Sequence, residues 1–360
     1  MDLQKDAAWK EKNMRILHIA YLDGDPFSGV CVVVPQHIRA QQELGHETAI
    51  YNVDNVRIDG VNCQIDDIGD FKDPDIVIFQ ECYRKEYLKI VKEFRAKGIP
   101  YVVIPHGELS DEAQKKKHLK KVAANLLLFN RFTGNAAAIQ CLSQREFDTT
   151  HFGKKKFIAT NGVYIPGIRK ESFNKDKTNI VYIGRLDAFH KGLDILIDAA
   201  KINHDRLISS NTVINVYGPD FEGRLAHLLE LVGEADVSDV VKLHDPVTGD
   251  KKISILLDAD FFIQTSRFEG MPLGILEALS YGIPCLVTRG TTLGEKIEGA
   301  GCGLMAETEP VSVAEKMMQM IEGRDRFSEM SDNGIKFVEE NFSWNVVAQE
   351  AVRNYSELLR

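Results

Sequence analysis

The sequence predicts an α/β protein made of two doubly wound domains, and three observations support this prediction. The chain of 360 residues is too long for one ordinary core and suits two domains. Short apolar segments alternate with helical stretches in both halves. No apolar run approaches the ~20 residues that a membrane span needs. We therefore predict domains over residues 1–165 and 166–342, followed by a terminal helix over residues 343–360.

The first predicted strand, Arg15–Tyr21, is a short apolar run that does not alternate with polar residues, which is typical of a parallel strand buried on both faces. The predicted strands are Arg15–Tyr21, Glu47–Asn52, Asp75–Phe79, Tyr101–Ile104, Ala137–Leu142, Asn179–Ile183, Thr212–Tyr217, Val240–Leu243, Phe261–Gln264 and Pro284–Val287. An Asn-Gly turn at 161–162 and a Pro-Gly pair at 166–167 indicate a break here, and we place the interdomain link at residues 166–177. Ser343 is a predicted N-cap of the amphipathic terminal helix.

The charge is uneven along the chain, although the net charge is −9. Residues 1–165 contain 23 Lys and Arg against 22 Asp and Glu, whereas residues 166–360 contain 21 against 31. The acidic second half argues against nucleic-acid binding there. Six scattered cysteines without metal-ligand spacing indicate buried free thiols in a reducing compartment, and the polar start is unlike a signal peptide. We therefore expect a cytoplasmic protein.

The stretch Phe261 to Leu279 predicts a strand, a polar loop and a helix that begins near Pro272. The amides of Leu273 and Gly274 are expected to point out of the helix start, where the helix dipole favours a phosphate. Glu269 and Glu277 flank this position and could accept hydrogen bonds from hydroxyls on either side of the phosphate. Because a nucleotide sugar carries such hydroxyls, it suits the pattern. The alternative is that both glutamates are ordinary loop and helix residues.

Cations are expected near the same place, because ligands of open α/β sheets bind at the carboxyl ends of the strands. Arg185 ends the first strand of the second half, and Lys191 precedes the following helix. Both could bind a diphosphate, although a single Arg and Lys near a loop are often simply solvated. The Asp-x-Asp pairs that include Asp23, Asp75 and Asp260 are weak metal signals. No G-x-G-x-x-G or P-loop opens a helix.

Three motifs resemble those of retaining GT-B glycosyltransferases of family four: SRFEG followed by LEAL, GRLD-x-x-x-KG, and PHGELS. The resemblance implies two Rossmann-like domains facing across a cleft, with the terminal helix crossing back to the first. It further implies that Arg185 and Lys191 bind and stabilise the donor diphosphate, that Glu277 holds the ribose, and that Glu269 and His106 face the transferred sugar. Gly29 stands where the family has a glycine pair, and here only one glycine is present.

The implied reaction moves a sugar, with retained configuration, from a nucleotide diphosphate sugar to an acceptor hydroxyl. We expect a UDP sugar, no metal or other cofactor, and a role in making cell-surface polysaccharide or glycoconjugate. A nucleotide-sugar epimerase on the same fold and a non-catalytic sugar-nucleotide-binding subunit remain alternatives.

The acceptor is expected on the side of the first domain, where Asp25 could contact its hydroxyls. After PHGELS the sequence predicts a helix with an apolar stripe opposite a basic face. The stripe comprises Leu119, Val122, Ala123, Leu126 and Phe129, and the basic face comprises Lys116, Lys117, Lys120 and Lys121. These lysines either are solvated or meet the phosphates of a lipid-linked acceptor or of membrane headgroups. The acceptor is accordingly a saccharide or a lipid-linked saccharide, with peripheral membrane contact in the second case.

Overall fold

Two parallel sheets organise the chain, and the computed structural model describes residues 13–115, 118–173, 176–220 and 222–360. The described residues separate into two units, each with its own hydrophobic core. Unit 1 runs to Thr160 and includes Val347–Arg360, and unit 2 is Asn161–Val346.

Unit 1 contains a seven-stranded parallel sheet in the order β3-β2-β1-β4-β5-β6-β7. Its strands are β1 Arg15–Ala20, β2 Glu47–Asn52, β3 Gln64–Ile65, β4 Ile76–Gln80, β5 Tyr101–Ile104, β6 Ala138–Cys141 and β7 Lys156–Ile158. Its helices are α1 Gly29–Glu43, α2 Tyr87–Ala96, α3 Asp111–Lys115, α4 His118–Ala124, α5 Asn130–Gly134 and α6 Gln144–Thr149, with a π-helical turn at Asn125–Phe129. Such uninterrupted burial on β1, β4, β5 and β6 is what a sheet covered on both faces requires.

Unit 2 contains a six-stranded parallel sheet in the order β10-β9-β8-β11-β12-β13. Its strands are β8 Thr178–Ile183, β9 Thr212–Tyr217, β10 Val241–His244, β11 Phe261–Gln264, β12 Cys285–Thr288 and β13 Gly303–Ala306. Its helices are α7 Leu193–Ile202, α8 His204–Ser209, α9 Leu225–Ala235, α10 Gly249–Asp258, α11 Leu273–Ser280, α12 Gly294–Gly299, α13 Pro310–Glu322 and α14 Phe327–Phe342. The last helix, α15, covers Trp344–Leu358.

The predicted fold class is confirmed, since both halves are doubly wound parallel sheets. Strands β2, β5, β9 and β11 have the predicted bounds, and the other predicted strands differ by one residue at one or both ends. The strand β13 was not predicted, because its short segment Gly303–Ala306 follows a glycine-rich turn and carries few β-branched residues.

The strand order reverses beside β1 in unit 1 and beside β8 in unit 2. At such a reversal, the loops that leave neighbouring strands run in opposite directions and open a crevice at the carboxyl ends. In unit 2 the reversal lies between β8 and β11, and the loops after these two strands carry most of the predicted ligand-binding residues. The fold therefore places those residues side by side.

Residues Val347–Leu358 of α15 belong to unit 1 and bury one face there. Tyr355 is fully buried, its hydroxyl donates to Gln140 Oε1 at 2.5 Å, and its ring packs edge-on against Phe157. The apolar face of the terminal helix thus packs on the far strands β6 and β7 of the first sheet.

Candidate active site

The loops that follow β8 and β11 are joined by hydrogen bonds and close backbone packing. Thr265 Oγ1 donates to the Gly192 carbonyl at 2.7 Å, and the Arg267 amide donates to the His190 carbonyl at 3.0 Å. Gly192 has a φ of +63°, and a Cβ there would lie 2.0 Å from the Thr265 carbonyl oxygen. Only glycine fits this position, because a side chain would both strain the backbone and push the loops apart. The packing sets the position of the neighbouring Lys191.

Glu269 lies beside Lys191, and its carboxylate is held by three donors. The donors are Lys191 Nζ at 2.6 Å, Gln264 Nε2 at 2.7 Å and Ser266 Oγ at 2.6 Å. All three reach the same oxygen, Oε1, and the Glu269 side chain is 12% exposed. Among the described residues, none donates to Oε2. The carboxylate is therefore fixed in place with one oxygen left for a ligand hydroxyl.

Glu277 lies on α11, about one turn from its start, and forms an ion pair with Lys252 of α10. Both side chains are partly exposed, at 29% and 27%, so a polar ligand can reach them. Sequence reasoning missed Lys252, because nothing in the sequence distinguishes it from the adjacent Lys251. The pairing arises from the way α10 and α11 lie beside the same sheet.

The start of α11 differs in part from the prediction. The Leu273 amide donates to the Met271 carbonyl at 3.1 Å, so it does not point outward to a ligand as expected. The reason is local, since Pro272 precedes the helix with a tight turn that turns this amide inward. The Gly274 amide has no backbone acceptor among the described residues. The predicted pair of amides is thereby reduced to one.

Asp187, the last residue of GRLD, organises the loop after β8 and was also missed. Its buried carboxylate accepts the His190 amide at 3.1 Å, pairs with His190 Nδ1 at 2.9 Å, and pairs with Arg224 at 2.9 Å. Burial acts to raise the pKa of Asp187, but the His190 amide and the charges of His190 and Arg224 hold it below its usual value. The exposed Arg185 lies on the same loop, and its carbonyl accepts the Tyr182 hydroxyl.

In unit 1, His106 follows β5 in a left-handed backbone conformation, with a φ of +48°. Its Nε2 lies 2.8 Å from Gln80 Oε1, and burial lowers the pKa of the ring to about 4. The next amide, that of Gly107, donates to Glu146 Oε1 at 2.7 Å. A strained backbone held by buried partners on both sides is common at functional sites.

The other predicted residues of the β1 loop are less engaged with a possible ligand. Gly29 begins α1, and a Cβ built there would meet no atom within 4 Å. Asp25 caps its own turn, because its carboxylate accepts the Phe27 amide at 2.9 Å. Asp23 accepts hydrogen bonds from the Asp25 amide and from Cys31 Sγ.

Asp75 and Asp260, which precede β4 and β11, each accept a hydrogen bond from a backbone amide, as expected of structural residues.

The predicted amphipathic helix after PHGELS is wrong in its facing. Lys116 and Lys117 lie outside the described residues, and Lys120 is described by its backbone alone. Lys121 is partly buried, donates to the Ala113 carbonyl at 2.8 Å and lies 5.0 Å from the Tyr83 ring centroid.

Exposure departs from the predicted stripe at Val122, Ala123 and Leu126, which are exposed, whereas Phe129 is buried as predicted. Leu126, Leu127 and Leu128 are 73%, 79% and 41% exposed, and Asn125 is buried. The π-helical turn adds a residue and rotates the following positions, and Asn125 Nδ2 donates to Gln114 Oε1 on the inner side.

Two negative findings apply to the described part of the chain. Among those residues, no three His, Cys, Asp or Glu side chains gather as a metal site would require. Within the same residues, no helix combines the length and apolar character that crossing a bilayer demands.

Solved structures show the same fold over nearly the whole chain, the fold of GT-B glycosyltransferases. Sucrose-phosphate synthase from Thermosynechococcus elongatus superimposes with a TM-score of 0.73 at 14% identity, covering 96% of this chain and 99% of that one. Alr3699/HepE of Anabaena, solved in complex with UDP, superimposes with a TM-score of 0.69 at 17% identity, covering 96% and 100%. These likenesses establish the architecture.

Residues 167–337 match the family model described as Glycosyl transferases group 1. D-inositol 3-phosphate glycosyltransferase of Salinispora tropica is 27% identical over 184 residues, which are 49% of this chain and 38% of that protein. Mannosylfructose-phosphate synthase of Agrobacterium fabrum is 25% identical over 186 residues, 50% of this chain and 41% of that protein. The matched part spans about two fifths of the length of these relatives.

Proposed function

We propose that the protein is a retaining, metal-independent glycosyltransferase that moves a sugar from a nucleotide diphosphate sugar to an acceptor hydroxyl. The observation that carries this proposal is the pair of joined loops after β8 and β11. They bring Lys191, on the same loop as Arg185, into an ion pair with Glu269. Preorganised cations stabilise the charge that develops on a departing diphosphate without any reorganisation at the moment of reaction.

Each residue then has a role that its surroundings support. Arg185 and Lys191 bind the diphosphate, since both are cations on the loop after β8. Glu269 Oε2 accepts a hydrogen bond from a hydroxyl of the transferred sugar, because Oε1 is already occupied by three donors. Glu277 accepts the ribose hydroxyls, with Lys252 holding its carboxylate. His106 faces the sugar from unit 1.

The names of similar proteins support the substrate class. HepE was solved with UDP and glucose, and the curated relatives are named for transfer to inositol 3-phosphate and for synthesis of a sugar phosphate. We propose a UDP sugar as donor and a saccharide or lipid-linked saccharide as acceptor, in the making of a cell-surface glycan or glycoconjugate.

The test is a binding and turnover series on the full chain. Thermal unfolding in the presence of UDP, GDP, ADP and their sugars should show the largest stabilisation for one nucleotide family. Slow hydrolysis of the same donor would support a transferase, if NMR of the released sugar shows that the α configuration is retained. Interconversion of the donor sugar would indicate an epimerase. Tight nucleotide binding without turnover on any acceptor would indicate a binding subunit.

We further propose that residues 115–131 contact an anionic membrane surface, where a lipid-linked acceptor would lie. No Asp or Glu occurs between Glu112 and Glu146, while this interval contains five lysines and two arginines. The exposed side chains of Leu126, Leu127 and Leu128 lie within it. Apolar side chains flanked by cations suit the headgroup region of an anionic bilayer, where each cation contributes about 1 kcal/mol.

Co-sedimentation with vesicles decides this second proposal. Wild type should bind vesicles containing phosphatidylglycerol, less at 0.5 M than at 0.05 M salt, and should ignore neutral vesicles. Changing Leu126 and Leu127 to Ser should abolish binding, whereas Leu229→Ser, which alters another exposed leucine, in unit 2, should leave it unchanged. If wild type ignores anionic vesicles, the acceptor is a soluble molecule.

A further inference from the structure

Five polar side chains form one continuous hydrogen-bonded chain through the interior of unit 1. It begins at His106 and passes through Gln80, His18 and Gln41 to His37. The four successive distances are 2.8 Å, 3.0 Å, 2.9 Å and 3.1 Å. Of these residues, sequence reasoning identified His106 alone. The others are His and Gln residues of β1, β4 and α1 that belong to no recognised motif.

This chain of hydrogen bonds links four separate elements of unit 1: β1, α1, β4 and the loop after β5. His18 lies in the middle of β1, Gln80 ends the neighbouring β4, and Gln41 and His37 lie one turn apart on α1. His18, Gln41 and Gln80 are at most 1% exposed. Buried polar groups at this depth need a partner for each hydrogen-bonding atom, because an unmade bond costs about 1–3 kcal/mol. Burial keeps the rings neutral, lowering the pKa of His18 to about 4 and that of His37 well below its usual value.

The chain has a direction, because each amide has one accepting end and one donating end. Gln80 accepts from His106 through Oε1, so His106 carries its proton on Nε2. Gln80 Nε2 then donates to His18 Nδ1, which leaves the His18 proton on Nε2, facing Gln41 Oε1. Gln41 Nε2 donates to His37 Nε2, so the His37 proton lies on Nδ1. The one other fully bonded arrangement reverses every donor and acceptor.

We propose that this buried chain fixes His106 as the neutral Nε2–H tautomer and presents its Nδ1 as a hydrogen-bond acceptor for a hydroxyl of the bound substrate. Gln80, His18, Gln41 and His37 are then positioning residues that act through His106. Among the described residues, none donates to His106 Nδ1, and the backbone of His106 is held in its left-handed conformation by the bonded Gly107 amide. The identity of the hydroxyl rests on the proposed function, whereas the tautomer does not.

The tautomers can be observed directly by long-range ¹H–¹⁵N NMR on the full chain labelled at histidine, with assignment by single His→Gln variants. At pH 7 we expect protons on Nε2 of His106 and His18 and on Nδ1 of His37. A proton on Nδ1 of His106, or a charged His106 ring, would overturn the proposal.

Gln41→Glu tests the coupling without a change of volume. A carboxylate accepts at both ends, so His37 should move its proton to Nε2 while His18 and His106 keep theirs. If His37 retains Nδ1–H in this variant, the hydrogen bonds between these side chains do not determine the histidine tautomers. The result is independent of any enzymatic activity.

Gln41→Met tests the effect on catalysis at a residue three hydrogen bonds away from His106. It should leave His106 as a mixture of tautomers and lower kcat/KM for the sugar donor about tenfold, with a smaller change in nucleotide affinity. Gln140→Met is the matched control. Gln140 is equally buried and bonds to the Ala159 carbonyl and the Tyr355 hydroxyl, but it does not belong to the chain of hydrogen bonds from His106 to His37.

The control should lose stability but keep the wild-type tautomers and kcat/KM. Equal losses of kcat/KM in both variants would show a merely structural role. If the tautomers respond as expected and no nucleotide sugar is turned over, the buried chain stands and the proposed function fails.

Discussion

The candidate residues of unit 1 and unit 2 use opposite kinds of polar chemistry. In unit 1 the interior carries neutral imidazoles and amides joined in one direction, from His106 to His37. In unit 2 the loops after β8 and β11 carry ion pairs, notably Lys191 with Glu269 and Asp187 with Arg224. The same doubly wound fold thus supports a fixed neutral network in one unit and a charged cluster in the other.

Depth of burial explains the difference. The hydrogen-bonded network of unit 1 is buried between the sheet and α1, where an unpaired charge would cost several kcal/mol, so neutral groups are favoured there. The ion pairs formed by Lys191 and Lys252 of unit 2 lie near the strand ends, and these two lysine side chains are 16% and 27% exposed. Ionic groups at such positions can exchange a protein partner for a charged ligand. On the proposed function, unit 2 would meet the charged part of the substrate and unit 1 a neutral part.

The largest expected effect comes from removing a cation of unit 2. Lys191→Ala and Arg185→Ala should each lower kcat by about 100-fold or more, because each removes a group that stabilises the departing diphosphate. Lys201→Ala, which alters an exposed lysine on the following helix, should leave kcat within about twofold. Near wild-type kcat in either site variant would remove the diphosphate role and the contrast between the units.

Glu269→Gln should lower kcat about 30-fold while leaving the affinity for free UDP nearly unchanged, if the side chain faces the sugar and not the nucleotide as we propose. Isothermal titration and steady-state kinetics on one preparation measure both quantities. A variant that loses UDP affinity and kcat equally would contradict the assignment of Glu269 to the sugar.

The neutral network of unit 1 predicts a loss of stability in acid. The folded-state pKa of His18 is about 4 and its ordinary value is 6.5, so the unfolded state binds more protons between these values. The stability that His18 contributes is complete above about pH 6.5 and is lost as the pH falls toward 4, by on the order of 2 kcal/mol at pH 5.

Denaturant unfolding at several pH values measures this slope. His18→Gln should flatten it, whereas His227→Gln, at an exposed position of unit 2, should not. An unchanged slope in His18→Gln would mean that other groups cause the acid sensitivity.

A smaller effect is expected for Lys252→Ala, which should weaken nucleotide binding about threefold to tenfold. The lysine holds the Glu277 carboxylate, and the loss of one partly exposed ion pair is modest. Glu277→Ala should weaken binding more, and the double variant should add little to it. Strict additivity in this double-mutant cycle would show that the two side chains act independently.

No effect is expected from a strong chelator, because in the proposed mechanism Arg185, Lys191 and the start of α11 take the place of a divalent ion. Activity in the presence of EDTA should equal that of the control. Loss on chelation with recovery on added Mg²⁺ or Mn²⁺ would show that ions assist unit 2, and Asp23 and Asp25 would then be examined as ligands.

Much of the fold could be predicted because strand formation depends on local apolar runs. Phe261–Gln264 and Tyr101–Ile104 were found with their observed bounds, since runs dominated by apolar residues require burial on both faces. The helical segment after PHGELS is present, but its predicted facing was wrong because the facing depends on a π-helical turn and on the inward Asn125, which no periodicity in the sequence records.

For the candidate site too, the sequence predicted some features and the tertiary structure decided others. The sequence by itself determined which loops carry Arg185, Lys191, Glu269 and His106, because each follows a strand end and parallel strands all end at one edge of their sheet. Only the tertiary structure decided the partners: Lys191 with a carboxylate 78 positions away, and Gln80 with a histidine 62 positions away. Hydrophobic burial acts on each segment separately, whereas the direction of a hydrogen bond or an ion pair depends on which distant segments the packing brings within 3 Å.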